Sequence, residues 1–118
     1  MREPRKILYS PGYGGGWTSW CSNQEIKKFM LTYQPIIDFL EAGGKFNSDE
    51  CDESKVDKCH PVLKKFAEEC RAKFGEVPFM GGADDLEVAT VYGRVRIHEY
   101  DGNESYDEES VYDFEEWM

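Results

Sequence analysis

A glycine-rich segment near the N-terminus has the residue types that most clearly suggest chemistry. Its residues are Gly12, Tyr13, Gly14, Gly15 and Gly16, followed by Trp17 and Trp20. A run of glycines exposes backbone N–H groups that can converge on an anion, and it lets a ligand approach the main chain closely. Aromatic rings beside those amides could stack a nucleotide base. The segment therefore predicts a nucleotide site in which the amides contact phosphate and the rings stack on the base. The alternative is that both tryptophans belong to the core.

The glycine segment satisfies neither of the two common phosphate-binding motifs. A P-loop requires a lysine directly after its last glycine, but Trp17 follows Gly16. A dinucleotide fingerprint that begins at Gly12 would require glycine at position 17. A P-loop NTPase and a dinucleotide-dependent oxidoreductase are therefore both excluded.

Two further groups could complete an anion site. Asp84 follows a second glycine pair and could accept ribose hydroxyls, or hold Mg²⁺ together with Asp85, although a turn or capping role is the alternative. Arg94 and Arg96 alternate with apolar residues and would project from one sheet face, where their guanidinium groups could meet phosphate. The alternative for these arginines is a solvated face paired with nearby acids.

The sequence offers little to support catalysis. His60 and His98 are its only histidines, no nucleophile motif is present, and the four cysteines form no Cys-x-x-Cys pair. We therefore expect a binding protein that is not an enzyme, with no catalytic residues, no metal and no cofactor. A metal-assisted hydrolase that uses Asp84 and Asp85 remains a third alternative.

The net charge is confined to one end of the chain. The 118 residues include 14 Lys plus Arg and 24 Asp plus Glu, which gives a net charge of −10. Residues 97–118 hold nine carboxylates and no Lys or Arg, whereas residues 1–96 hold fifteen acids and fourteen bases. We therefore predict one domain over residues 1–103 and an acidic C-terminal segment over 104–118 that is partly packed or tail-like. Because the domain itself is near neutral, an anionic ligand remains compatible with it.

The acidic segment suggests a different function from the glycine segment. Its carboxylates alternate with the aromatic residues Tyr106, Tyr112, Phe114 and Trp117. Such a surface can imitate nucleic-acid phosphates and occupy a basic groove of a protein, with the aromatic rings as anchors. A solubilising tail is the simpler alternative.

The elements that would position these residues form an α+β pattern. A strand is predicted at 6–9, a helix from Gln24 that breaks near 32–34, a second helix from Pro35 to Gly43, and a third from Pro61 to a cap at Gly75. Segments 86–92 and 94–100 alternate and would form a hairpin at the intervening glycine, while 104–112 returns as a third strand or runs off as the tail. The predicted fold class is α+β, with a mostly antiparallel sheet and helices packed on one face.

No apolar run approaches the roughly eighteen residues of a membrane span, and the first residues do not form a signal peptide. We therefore expect a cytoplasmic protein with reduced cysteines and no membrane partner.

Several blocks of the chain resemble a group of small proteins of phages and prophages. The blocks are Ser10-Pro11-Gly12-Tyr13-Gly14-Gly15-Gly16-Trp17-Thr18-Ser19-Trp20, Lys73-Phe74-Gly75, Gly81-Gly82-Ala83-Asp84 and Arg96-Ile97-His98-Glu99-Tyr100-Asp101-Gly102-Asn103-Glu104-Ser105. The chain departs from the group at Gly15, where alanine is expected, and at Cys21, where asparagine is common. The resemblance implies a phage accessory protein, for which counter-defence is the natural role.

Within that context the glycine segment favours a sponge, a protein that sequesters a nucleotide-derived immune signal of the cyclic oligonucleotide or cyclic ADP-ribose type without turnover. The expected ligand-binding residues are Tyr13, Gly14, Gly15, Gly16, Trp17, Trp20, Asp84, Arg94 and Arg96. The expected partner is a small anionic nucleotide, with no direct binding of nucleic acid and with homo-oligomer formation left open. In the alternative function, the acidic segment inhibits a host defence protein.

Overall fold

A computed structural model describes residues 4–12 and 15–108 and confirms the predicted α+β class. In chain order the elements are β1 (Arg5–Tyr9), α1 (Gln24–Leu31), α2 (Gln34–Glu41), α3 (Pro61–Phe74), β2 (Glu87–Val91), β3 (Val95–Tyr100) and β4 (Asn103–Glu108). Short 3₁₀ turns lie at Thr18–Trp20, Ser48–Glu50, Val56–Lys58 and Ala83–Asp85. The strand pairings are antiparallel.

The start of α1 and the end of α3 lie where their capping residues predict. The Asn23 side chain accepts hydrogen bonds from the backbone N–H groups of Glu25 and Ile26, at 2.9 and 3.2 Å, and so caps α1. A proline lies in the first turn of α2 and of α3, where no backbone donor is needed. Gly75 ends α3 in the left-handed conformation at φ 78°.

The strand pairing differs from the prediction. β2 pairs with β1, placing Ile7 opposite Ala89, and β3 pairs with β4. The hairpin turn is Asp101-Gly102, where both residues have positive φ, 50° and 85°, as a tight two-residue hairpin requires. The predicted hairpin at Gly93 is therefore wrong, because that segment connects strands of two different sheets. Alternation identifies a strand but not its partner.

The core lies between the helices and the β1–β2 sheet. Trp17, Leu63 and Phe66 are fully buried, and the Trp17 and Phe66 rings lie 5.3 Å apart. A smaller apolar cluster that includes Ile7 and Val95 joins the two sheets. No helix in the described part of the chain is long and apolar enough to cross a bilayer.

The predicted domain boundary after residue 103 falls inside the fold. Asn103 pairs with Tyr100 and Glu108 pairs with Val95, so the first residues of the acidic segment form β4. The remainder of that segment, 109–118, lies outside the described residues, together with the predicted anchors Tyr112, Phe114 and Trp117.

Candidate functional site

A carboxylate of the same chain, Glu104, is bound by backbone amides on both sides of the glycine segment, and none of these amides belongs to a glycine. Glu104 is only 1% exposed. Its Oε1 accepts a hydrogen bond from the backbone N–H of Ser10 at 2.8 Å, and its Oε2 accepts from the N–H groups of Trp17 and Ser19 at 2.7 and 3.0 Å. The Ser19 hydroxyl donates to the same oxygen. The amides that flank the glycine segment are thus engaged within the chain.

A backbone hydrogen bond reinforces this contact. The N–H of Glu104 donates to the carbonyl of Ser10 at 2.7 Å, which ties the start of β4 to the end of β1. Hydrogen bonds to a charged acceptor are roughly twice as strong as neutral ones, particularly away from water. Glu104 therefore fixes the β3–β4 hairpin to the glycine segment.

The glycines serve close packing of main chain against main chain. A Cβ at Gly82 would lie 2.5 Å from the Gly16 carbonyl oxygen, and a Cβ at Gly16 would lie 2.4 Å from the Ser19 Oγ. At Gly15 the nearest atom, on the Phe79 ring, would be 3.3 Å away. Gly16 and Gly82 thus occupy positions that exclude a side chain. Gly15 can nearly accept one, because its nearest neighbour is the end of a side-chain ring.

The two tryptophans of the predicted site have different environments. Trp17 is fully buried and its indole N–H donates to the Met30 carbonyl at 2.9 Å. Its predicted stacking role is corrected to a core role, because a ring without exposed surface cannot contact a ligand from solution. Trp20 is 41% exposed, lies 5.0 Å from the Phe79 ring and donates its indole N–H to Glu99 at 2.7 Å. Tyr13 and Gly14 lie outside the described residues.

The arginine face of β3 is partly neutralised by an acid. Arg96 lies with its Nη2 3.6 Å from an Asp107 oxygen, and the His98 Nε2 lies 2.6 Å from the same oxygen. Arg96 and His98 therefore share one sheet face, as alternation predicted. The hydrogen bond from His98 and the nearby guanidinium lower the pKa of Asp107 below its ordinary value. Arg94, at the start of this segment, is exposed.

Asp84 lies in a separate open groove of about 720 Å³ between the C-terminal end of α2 and strand β2. Burial and the neighbouring Asp85 raise the pKa of Asp84, while Lys45 acts in the opposite direction. The lining residues are Leu40, Glu41, Gly43, Gly44, Lys45, Phe46, Ala83, Asp84, Asp85, Leu86, Glu87, Val88 and Thr90. Neither arginine of β3 is among them, so Asp84 and the arginines do not share this groove.

Cysteine and metal chemistry find no support in the described ranges. All four thiols are buried, and burial raises the pKa of Cys51 and Cys70 to about 12. A thiol that holds its proton is a poor nucleophile and a poor ligand. Within residues 4–12 and 15–108, no group of three or more His, Cys, Asp or Glu side chains could hold a metal ion. The Asp84–Asp85 pair is therefore not part of such a metal site there.

Comparison with known proteins provides no relative on which to base a function, because no protein-family model, no curated protein and no solved structure matches the chain. The blocks that resemble phage proteins nevertheless meet in the fold. The first block supplies the donors for Glu104, which belongs to the last block, and Gly82 of the middle block packs on Gly16. These blocks thus build one framework around a buried carboxylate.

The sequence reasoning missed Glu104. Glu104 lies opposite Glu99 across the hairpin, and both are on the sheet face that carries the buried Val95. A second acid on that side, beside a segment rich in unpaired amides, is the signal that could have identified the contact. The predicted site residues that the structure describes are therefore divided: Gly15, Gly16 and Trp17 are packed, Trp20 is exposed, Asp84 lies in the groove, Arg94 directly precedes β3 and Arg96 lies in it.

Proposed function

We propose that this chain is a phage-encoded counter-defence protein that acts in the host cytoplasm by binding a basic surface of a host defence protein. The observation that carries the proposal is the exposed, acidic β3–β4 hairpin. Glu99, Asp101, Asp107 and Glu108 are all exposed, and Tyr100 at the end of β3 is 78% exposed. The phage context itself comes from the resemblance of the glycine segment and the hairpin.

Charge and rigidity both suit such a hairpin to inhibition. Complementary charge accelerates association with a basic partner, and an exposed tyrosine can serve as a central anchor. Because Glu104 fixes the hairpin to the glycine segment, little conformational entropy is lost on binding. The sequence beyond the described residues adds Glu109, Asp113, Glu115 and Glu116, which extends the acidic character.

The proposal can be tested by phage plaque formation on bacteria that carry defined defence systems and express the chain. We expect the wild-type chain to restore plaque formation on at least one defended strain. A hairpin variant with Asp101→Asn, Glu108→Gln and Tyr100→Ala should lower that rescue at least about tenfold, because loss of a central aromatic anchor alone costs about 2 kcal/mol.

A matched control carries Glu25→Gln, Glu68→Gln and Tyr92→Ala, which remove the same groups from exposed positions outside the hairpin. We expect this control to rescue as well as the wild type. Failure of the wild-type chain to rescue any strain would contradict the proposal, as would full rescue by a correctly folded hairpin variant. Circular dichroism establishes that each variant is folded.

A second candidate function is sequestration of a nucleotide signal, which one observation favours. Trp20 is partly exposed and lies against Phe79, so the pair offers a stacking surface beside the glycine segment. Two observations weigh against it: Gly15 and Gly16, whose amides were expected to meet the phosphate, are buried, and Glu104 already engages the neighbouring amides of the segment's flanks. For this reason we rank it second.

Isothermal titration with cyclic dinucleotides, cyclic trinucleotides and cyclic ADP-ribose isomers tests the sponge. It predicts a Kd below about 10 µM for one ligand, roughly −7 kcal/mol, and loss of that binding in Trp20→Ala. Chromatography should recover the ligand unchanged. Binding by none of these ligands would contradict the sponge and leave the hairpin proposal intact.

A further inference from the structure

We propose that the groove between α2 and β2 is a docking site for an extended segment of a protein partner that carries Lys or Arg side chains. The inference rests on the proposed function, because it identifies a second part of the surface that the same basic partner would contact. The groove encloses about 720 Å³, which is within the range of about 300–1,000 Å³ that is typical of ligand pockets.

The charge of the groove selects a cationic occupant. Its lining contains the carboxylates of Glu41, Asp84, Asp85 and Glu87 and, as the single basic residue, Lys45. An anionic ligand such as a nucleotide would be repelled by this arrangement. On the α2 wall Glu41 is already paired with Lys6, whereas on the β2 wall Glu87 accepts a hydrogen bond from a neutral donor, the Tyr9 hydroxyl, at 3.0 Å. A lysine or arginine head group would therefore be attracted to Glu87 and to the adjacent Asp84 and Asp85.

The floor of the groove suits the aliphatic part of such side chains. Leu40 and Val88 line it and are half-buried, so they offer apolar surface below the charged rim, while the buried Phe46 and Leu86 belong to the core on which they pack. Lysine and arginine cover apolar surface with their methylene groups while the charged end reaches polar partners. A single side chain would not fill the groove, but a short stretch of chain would.

The shape of the groove favours an extended stretch. Glu87 and Val88 are consecutive residues of β2, so their side chains point to opposite faces of the sheet, yet both line the groove. The groove therefore follows the edge of the strand. Among the described strands β2 pairs only with β1, so this edge has no strand partner there and can accept an extended peptide.

The groove also adjoins the hairpin through the segment Pro11–Gly12. Asp85 packs against Gly12, where an added Cβ would lie 2.0 Å from its Oδ2. On the hairpin side, the Asn103 side-chain amide donates to the Pro11 carbonyl. A basic partner bound to the hairpin would therefore cross only Pro11 and Gly12 to reach the groove. Burial and Asp85 raise the pKa of Asp84, and a cation in the groove would relieve the repulsion between the two acids.

The test is isothermal titration of the full chain with the capped peptide Ala-Lys-Leu-Lys-Ala, with the glutamate counterpart of the peptide as a charge control. We expect the lysine peptide to bind and the glutamate peptide not to bind. Asp84→Asn together with Glu87→Gln should weaken binding about fivefold to tenfold, because two ion pairs are lost while the shapes remain. The control Glu25→Gln with Glu68→Gln should bind as the wild type does.

The location is checked by amide NMR, in which the peptide should shift the resonances of Lys45, Phe46 and β2. The inference is overturned if the peptide does not bind, if the groove variant binds as tightly as the wild type, or if the hairpin variant loses the peptide while the groove variant keeps it. These failures leave the proposed function standing when plaque rescue still depends on the hairpin. Conversely, peptide binding in the groove without any rescue would contradict the proposed function alone.

Discussion

Glu104 and the acids of the groove carry the same functional group in opposite surroundings. Glu104 accepts hydrogen bonds from three backbone N–H groups and one hydroxyl, and it is almost completely buried. Asp84 instead faces a second acid, Asp85, in a groove open to solvent. The donors around a carboxylate therefore decide whether it stabilises the fold or remains available to an external cation.

The largest effect expected from this comparison follows replacement of Glu104. Glu104→Ala would leave the amides of Ser10, Trp17 and Ser19 buried without an acceptor, and each such loss costs about 1–3 kcal/mol. We expect a decrease of about 3–5 kcal/mol in the free energy of unfolding, measured by urea denaturation. Because this is a large fraction of the stability of a small domain, the variant will be partly unfolded at 25 °C.

Two variants accompany Glu104→Ala. Glu104→Gln keeps one acceptor oxygen but directs an NH₂ group at backbone donors, so its loss should be large but smaller than that of the alanine variant. Glu108→Ala removes an exposed acid from the same strand and should change stability by less than about 0.5 kcal/mol. Equal stability of the Glu104 and Glu108 variants would show that the buried contact does not hold the hairpin.

The packing of the two glycine segments predicts a smaller difference. Gly82→Ala places a methyl group 2.5 Å from a main-chain oxygen that cannot move aside freely, so a loss of about 1–3 kcal/mol is expected. Gly15→Ala meets the Phe79 ring at 3.3 Å, and that side chain can shift slightly. Its stability should lie within about 1 kcal/mol of the wild type, because alanine also lowers the conformational entropy of the unfolded chain and so offsets part of the cost.

Thermal denaturation of the two alanine variants measures this difference directly. The comparison is matched, since both substitutions add one methyl group to the same pair of packed segments. If Gly15→Ala were as destabilising as Gly82→Ala, main-chain contact at Gly82 would not be the reason for its glycine.

The helix ends could be predicted from the sequence, because a capping residue acts on the backbone groups next to it. Asn23 marks the start of α1 and Gly75 the end of α3, each through a backbone requirement that the residue type meets. The return of the chain after β3 as a further strand was one of the predicted alternatives, and β4 forms it. The pairing of β2 was not predicted, since β2 is as alternating as β3 and its partner, β1, lies some eighty residues earlier in the chain.

The candidate site was predicted in part for the same reason. The prediction that the glycine amides bind a phosphate stays a prediction, and nothing local in the sequence shows that the flanking amides bind Glu104, 94 residues after Ser10. The two tryptophans have similar sequence surroundings and different burial, which depends on which ring the α3 residue Phe66 contacts. Residue types therefore indicated which groups could bind, while the chain's long-range contacts decided their partners.

The smallest effect expected concerns the pH dependence of the two exposed regions. Burial and Asp85 raise the pKa of Asp84 above its ordinary value of 3.8, so the folded chain holds that proton more tightly than the unfolded chain does. Stability then decreases as the pH rises through the interval above 3.8, and the deficit persists at neutral pH. Asp84→Asn should remove the deficit and stabilise the chain by a few tenths of a kcal/mol (about 0.3) at pH ~7, with no gain at pH ~3.

Asp107→Asn, on the hairpin, should change the stability of the fold in the opposite direction. The hydrogen bond from His98 lowers the pKa of Asp107, so this acid stabilises the fold above pH 3.8 and the contribution is lost as the pH falls below that value. The variant should therefore melt at a slightly lower temperature than the wild type near neutral pH and at the same temperature in acid. Melting temperatures of both variants, measured from acid to neutral pH, distinguish Asp84, which repels its neighbour, from Asp107, which is paired. Shifts of the same sign would contradict the distinction between groove and hairpin.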